Sequence, residues 1–420
     1  MKRILILAAT TGYQTRAFAE AAGRIGFEAV LATDRCHVLD DPWGDDAIPV
    51  RFEAPEPSAG QVVRAAGGTL AGLVALGDRP THIAALVASR LGLRYHPVEA
   101  VLAARNKYLA RERFRLAGLP APAYVRFRAS VDPARTARHV RYPCVLKPLG
   151  LSASRGVIRA NDEVEFASAF RRIAELLESP DIRRLRDEID RYIQVEAFIP
   201  GREFALEGIL TDGKLQPLAL FDKPDPLDGP FFEETLYVTP SREAPSLQRQ
   251  IVDAVQQATR ALGLTHGPIH AEMRVNSEGV WMLEVAARPI GGLCSRALRF
   301  EPHVSLEEVI LRHAAGEGMR DLKLCGPAAG VMMIPIRQAG VYCGVAGIDR
   351  AEGIPGVEEV IITAKQGQHQ VPLPEASSYL GFIFARAGTP DAVETSLRRS
   401  YRELQFDIAT ALPLMPAARG

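Results

Sequence analysis

The chain has 420 residues, 47% of them hydrophobic and 24% charged, an ordinary composition for a soluble globular protein and enough for about three domains. Fifty basic side chains balance fifty acidic ones, which excludes a nucleic-acid or membrane surface as the expected main partner. The five cysteines (Cys36, Cys144, Cys294, Cys325, Cys343) form no CxxC pair, no stretch is long enough for a membrane span, and a cytoplasmic protein with buried free thiols is expected.

MKRILILAA reads as a first strand, because its apolar run is too short for a signal peptide and leads into a turn and a helix. TRAFAEAAGRIG is an amphipathic helix, EAVLAT a second strand, and GGTLAGLVALG contains a third. PTHIAALVASRLG is a helix closed by Gly92. This alternation over residues 1–104 predicts a parallel sheet. Its first turn, ATTGYQT, is not the GxGxxG dinucleotide loop, and no GxxxxGK[ST] loop occurs.

A helix is expected from an N-cap at Asn106 to Ala117, ended by Gly118 and Pro120. The strand YPCVLKP follows, then the Gly/Ser-rich loop LGLSASRGV. Residues 162–191 read as a charged helical region whose second half, lacking an apolar face, is a solvated insertion. Strands and turns alternate through YIQVEAFIPGREFALEGILTDGKLQPLALFDKP. PDPLDGPFFEETLYVTPSR suits a long ordered loop with a function. The helix SLQRQIVDAVQQATRALG precedes HAEMRVNSEGVWMLEVAARPIGG, and strands and the final helix AVETSLRRSYREL occupy the chain beyond residue 316.

Three stretches carry chemistry. NSEG predicts a hairpin with the three-residue loop Ser277-Glu278-Gly279 and Asn276 opposite Val280, which sets Glu272 opposite Glu284. Like charges facing one another on a strand that is apolar on both faces call for compensation, and a divalent cation with hard oxygen ligands, magnesium first, would supply it; a wet-edged hairpin with two solvated glutamates is the other reading. Arg288, just beyond, is placed to steady an oxyanion or phosphate, or else to pair with Glu284 or Glu272. In YPCVLKPLGLSASRGV, Lys147 ends a strand, and Gly150, Ser152, Ser154, Arg155 and Gly156 offer small residues and donors to a phosphate, against a plain surface loop. In QVEAFIPGREF, Glu196 could meet an adenine edge and Glu203 a ribose, against a plain hairpin with exposed acids. Asp222, Asp225 and Asp228 lack the rest of a calcium loop and are expected to face solvent. The nine histidines show no HExxH-like spacing, which argues against zinc.

In their order along nearly the whole chain, these motifs resemble the ATP-grasp superfamily. PFFEETLYVTP and GVEEVIITAKQG through SSYLGFIFARAGTP look most like its L-amino-acid ligase branch. The resemblance implies mixed α/β and α+β architecture: an N-terminal parallel-sheet domain (1–104), a two-lobed ATP-binding core (105–316) with a mobile lid at about 121–193, and a C-terminal α+β domain (317–420). It implies ATP and magnesium, with manganese as the alternative ion. Lys107 and Lys147 would touch phosphates under the loop 150–156, Glu196 and Glu203 the adenosine, Glu272 and Glu284 the metal, Arg288 the acyl phosphate, and Glu233 or Glu234 the substrate. The implied reaction joins a small-molecule carboxylate to an amine through an acyl phosphate; a bicarbonate-using carboxylase and a non-catalytic nucleotide binder are the rivals. The sequence leaves the oligomeric state open, a homodimer included. Two positions depart from the family pattern. Ala286 stands where many members have a metal-binding Asn, and Gly292 follows Arg288 with no bulky aromatic to narrow a pocket.

Overall fold

The computed structural model describes residues 1–9, 14–34, 47–185, 187–318, 322–376 and 378–410. Most of the first turn and Cys36 lie outside them. The opening alternation builds a four-stranded, all-parallel sheet, in the order Ile48–Pro49, Phe27–Thr33, Lys2–Ala8, Leu70–Leu76. Its central strand is buried on both faces, as parallel strands flanked by helices are. Leu5 and Leu7 pack with Leu73, Ile83 and Val87 on one side. Ile4 and Ile6 share the other with Phe18, Leu306, Ile310 and residues of a second, larger sheet.

That larger sheet has eight strands, in the order Gly279–Ala286, Gly267–Asn276, Arg202–Thr211, Lys214–Lys223, Leu236–Thr239, Ala328–Ile334, Gly381–Ala387, Val357–Ile362. Strands from both sides of residue 316 therefore belong to one continuous sheet. Helix Pro245–Leu262 and helix Lys107–Leu116 cover its back, where Phe204, Leu206, Ala271 and Met273 meet Ile251, Val255 and Phe114. Burying this apolar set is what fixes which face of the strands looks outward.

A third sheet, four-stranded and antiparallel, runs Tyr124–Arg128, Tyr192–Ala197, Cys144–Pro148, Ile158–Ala160. Helix Glu163–Leu177 closes its core with Phe166, Phe170 and Ile173. The rest of the 162–191 region is not the solvated insertion expected. Ile182 is buried in the same core, and Asp187 pairs with Arg105 at 3.3 Å; one apolar residue per turn was enough. QVEAFIPGREF is not a hairpin either. Its two strands sit in different sheets, and the turn at Pro200 and Gly201 is the crossing between lobes. Gly201 is at φ +132, where an added Cβ would lie 2.3 Å from the Val275 carbonyl oxygen, so only glycine fits the crossing. A small three-stranded sheet (His369–Gln370, Gly340–Ala346, Gln405–Ala409) and helix Pro390–Glu403 complete the C-terminal part. Cys144 and Cys294 are buried free thiols, while Cys325 and Cys343 are half-buried. Among the described residues no helix is long and apolar enough to cross a membrane.

Candidate active site

Part of the front of the eight-stranded sheet is polar for a reason of period two. With Phe204, Leu206, Ala271 and Met273 turned to the back core, the alternate residues must face forward. Register then stacks them in rows across neighbouring strands: Lys223–Glu203–Arg274, next Ala205–Glu272–Glu284, next Glu207–His270–Ala286. Ala286, at the end of the third row, is small and lines the cavity in front of the sheet.

The expected glutamate pair is present, but the turn differs. Asn276 pairs with Gly279 rather than Val280, so the loop is only Ser277 and Glu278. A register shift between Glu272 and Met273, which leaves Leu283 unpaired, restores Glu272 opposite Glu284. The strand carrying Glu284 is also the sheet's edge and half-buried, not fully enclosed.

Buried charges are matched row by row. The Lys223 ammonium lies 3.0 Å from Glu203 and 3.4 Å from Glu272 and also holds Glu234. Arg274 donates to the other Glu203 oxygen at 2.9 Å. Burial alone would lower the Lys223 pKa, yet Glu234 and Glu272 hold it well above the ordinary lysine value. Glu272 is pushed up by burial and by Glu284 and Glu203, and Glu234 by burial and Glu272. Oxygens of Glu203, Glu234 and Glu272 all lie within 4.8 Å of one another. The Lys223 ammonium already compensates this trio, whereas Glu272 and Glu284, facing one another across the strand pair, are hard oxygen donors of the kind a divalent ion such as magnesium takes.

Arg288 does not pair with either strand glutamate. It makes a two-pronged contact with Asp78, Nε to Oδ1 and Nη2 to Oδ2, both 3.2 Å. Asp78 stands just beyond the carboxyl end of strand Leu70–Leu76, where parallel sheets commonly present functional residues. Burial opposes ionisation of Asp78, but Arg288 keeps its carboxyl below the usual range.

The four-stranded antiparallel sheet supplies the opposite wall. Lys147, at its strand end, donates to Glu196 at 2.7 Å, and Arg111 reaches the other oxygen at 2.8 Å. Burial raises the Glu196 pKa, but Arg111 and Lys147 outweigh it and bring the carboxyl to about 2. Burial lowers the Lys147 pKa in turn. Asn106 caps helix Lys107–Leu116 through the Tyr108 and Leu109 amides, which puts Lys107 at the first helical position. A cation there is unfavourable for the helix dipole, so together they form a site that attracts anions. Lys107 donates to the Leu151 carbonyl at 2.7 Å and lies 3.7 Å from Glu284.

Two cavities meet here. One, of about 930 Å³, lies between the four-stranded and the eight-stranded sheets, lined by Lys107, Lys147, Ser152, Ser154, Glu196, Glu203, Glu284 and apolar groups such as Val145, Val157 and Leu283. The other, of about 1060 Å³, opens between the large sheet and the N-terminal domain, with Asp78, Tyr237, Ile290, Gly292, Cys294, Met333 and Tyr379 in its wall. Glu234, His270, Glu272 and Arg288 line both.

Of the residues anticipated in the loop 150–156, Ser152 and Ser154 face the first cavity, whereas Gly150, Arg155 and Gly156 do not line it. Arg155 turns outward to Asp181 at 2.8 Å and to the Glu375 carbonyl at 2.7 Å. Glu234 faces both cavities, while Glu233 lies 3.6 Å from Arg337, away from them. Asp222 is buried rather than solvent-facing, accepting from the Arg242 amide at 2.9 Å, and Asp225 is half-buried against Arg398 at 2.6 Å. Six residues of the site escaped the reading of the sequence: Asp78, Arg111, Glu207, Lys223, His270 and Arg274. His270, Glu272 and Arg274 recur at every second position of a strand, a signal that was there to use. Lys223 and Arg111 acquire meaning only from their partners in space.

Residues 140–297 match the ATP-grasp domain family, and residues 332–409 match the L-amino acid ligase C-terminal domain 2. The chain is 24% identical over 412 residues to the uncharacterized protein y4rH of Sinorhizobium fredii (strain NBRC 101917 / NGR234), covering 97% of this chain and 84% of that protein. It is 29% identical over 216 residues to alanine–anticapsin ligase of Bacillus subtilis (strain 168), covering 48% of this chain and 45% of that one; the chain thus spans less than half the length of that ligase. The crystal structure of an L-amino acid ligase from Bacillus licheniformis superposes with a TM-score of 0.79 at 24% identity, covering 98% of this chain and 99% of that one. The fold is therefore the ATP-grasp fold, with the expected mixture of a parallel N-terminal sheet and antiparallel sheets.

Proposed function

We propose that this chain, which carries an ATP-grasp domain followed by an L-amino acid ligase C-terminal domain, is a cytoplasmic ATP-dependent carboxylate–amine ligase. We divide it at 1–104, 105–316 with the lid at about 121–193, and 317–420, and expect it to act alone or as a homodimer. The observation that carries the reading is the meeting of two cavities at Glu234, Glu272 and Arg288. A phosphoryl donor and a phosphoryl acceptor need this arrangement, since the reacting atoms must come within about 3–3.5 Å.

In this reading the first cavity takes ATP, its base against Val145, Val157 and Leu283, with Glu196 and Glu203 toward the adenosine. Lys107 and Lys147 hold the phosphates as point charges, and Ser152 and Ser154 add hydroxyl donors from the loop. Glu272 and Glu284 would hold magnesium, or manganese in its place, which neutralises charge on the phosphates. The second cavity takes the acid, with Glu234 the acidic group facing it. The γ-phosphoryl group passes to the carboxylate, ADP departs from it, and an acyl phosphate forms. Arg288, aligned by Asp78, stabilises the charge that develops on phosphoryl and carbonyl oxygens. The amine then attacks the carbonyl, the C–O bond to phosphate breaks, and a proton leaves the new amide nitrogen. Lid closure keeps water from the acyl phosphate.

The relationship to an alanine–anticapsin ligase supports amino acids as substrates. ADP release measured across a matrix of amino acids and small carboxylates, with and without an amine, tests the proposal. Release should depend on a carboxylate and rise with an amine, and hydroxylamine should trap a hydroxamate. ADP release that needs only bicarbonate, or none with any pair, would sink it.

A further inference from the structure

Glu207 takes no part in the reaction as described, yet it is fully buried. An ionised or hydrogen-bonding carboxyl is retained in such a place only if its partners compensate it. Both of its oxygens accept from the Ile290 amide at 3.1 Å, two residues beyond Arg288. One of them also lies 3.1 Å from His270 Nδ1. Glu207 and His270 are direct cross-strand neighbours, so the sheet's register holds the ring where the carboxyl can reach it. The other ring nitrogen, Nε2, lies 3.4 Å from Glu272 Oε1, and His270 lines both cavities. Across the next strand its neighbour is Ala286, which offers no polar group.

We propose that His270, held by Glu207, is a positioning residue that orients the Glu272 carboxylate for the metal. Partners of this kind restrict the rotation of a ligating carboxylate and raise metal affinity without touching the ion. The row Glu207–His270–Ala286 thereby supports the row Glu272–Glu284 beside it on the same face. This inference rests on the reading of Glu272 as a metal ligand.

Two amide substitutions separate the ring's nitrogens. His270→Asn keeps a group near the Nδ1 position, toward Glu207, and loses the one that faces Glu272. His270→Gln reaches the Nε2 position and keeps it. Manganese binding in the presence of ADP, followed by electron paramagnetic resonance, gives a readout independent of turnover, and Tm checks that each variant is folded. His270→Asn should bind manganese about 10-fold or more weakly than wild type, with His270→Gln recovering most of that loss. Equal affinity in His270→Asn and wild type, or equal loss in both variants, overturns the proposal. If wild type itself binds no manganese, the metal reading of Glu272 fails instead.

Discussion

The two walls of the first cavity are built differently. The floor is the centre of an eight-stranded sheet, where Glu203, Glu207, Lys223, His270 and Arg274 are buried and each is held by at least one charged neighbour. The roof is the loop 150–156. Ser152 and Ala153 are exposed, and Ala153 and Ser154 adopt positive φ of +53 and +55, a conformation costly for residues with a side chain. The loop is tied down from outside, by the Gly156 amide to the Pro374 carbonyl at 2.8 Å and by Arg155 to the Glu375 carbonyl, and Glu375 is in turn held by Arg172 of helix Glu163–Leu177. The floor must keep reacting atoms within fractions of an ångström, which a packed sheet can do. In the proposed reading the roof opens for nucleotide, which fits a loop held by a few contacts at its outer side. On that reading, precision belongs to the sheet and access to the loop.

Breaking the floor should have the largest consequences. In the proposed reading Arg288→Ala removes the charge that stabilises the reacting oxygens, so turnover should fall by about 3 kcal/mol or more; it also strands the half-buried Asp78, so the fold should lose roughly 1–3 kcal/mol. Combining it with Asp78→Asn should restore much of the stability and none of the turnover. Kinetics and denaturant unfolding on both variants check this, and recovery of activity in the double variant would refute the role given to Arg288.

Glu284→Gln tests the metal without disturbing the core, since Glu284 is on the half-buried edge strand. Turnover at limiting magnesium should fall about 100-fold, with Tm little changed. Wild-type turnover at limiting magnesium in this variant would move the metal elsewhere.

Lys147→Ala probes the roof's rigid margin. ATP affinity measured by calorimetry should drop, and stability should fall by about 1–3 kcal/mol because Glu196 keeps only Arg111 and Gln194. The pH dependence has a defined sign. Glu196 is held at about 2 in the folded protein against an ordinary 4.5, so its stabilisation is complete above about pH 4.5 and is lost as pH falls toward 2. The stability gap between wild type and Lys147→Ala should therefore be full at neutral pH and close on acidification. A gap independent of pH would mean that the loss is one of packing.

The smallest effect is expected at the clasp. Glu375→Ala removes an exposed ion pair with Arg172, worth under about 1 kcal/mol, so Tm should hardly move. Limited proteolysis within 150–156 should nonetheless become faster in the absence of nucleotide and slow again with ATP and magnesium. Unchanged cleavage would show that the lid is not held by residue 375.

Much of this organisation was legible in one dimension. The alternation of residues 1–104 determined the parallel sheet, Asn106 and Gly92 the helix ends, and the spacing around NSEG the facing glutamates. These features depend on neighbours in the chain: hydrophobic period, capping groups and turn residues act over a few positions. Even there one detail went astray, because the two-residue loop and the bulge that offsets it have nearly the same local pattern as a three-residue loop. The tertiary structure alone decided which charge meets which. Asp78 reaches Arg288 across 210 positions, Arg111 meets Glu196 across 85, and a strand pair that reads as a hairpin around Pro200 and Gly201 instead joins two sheets. A Coulomb or hydrogen-bond partner is selected by distance in space, after the cores have fixed the sheets' faces, and side-chain period carries no record of that distance.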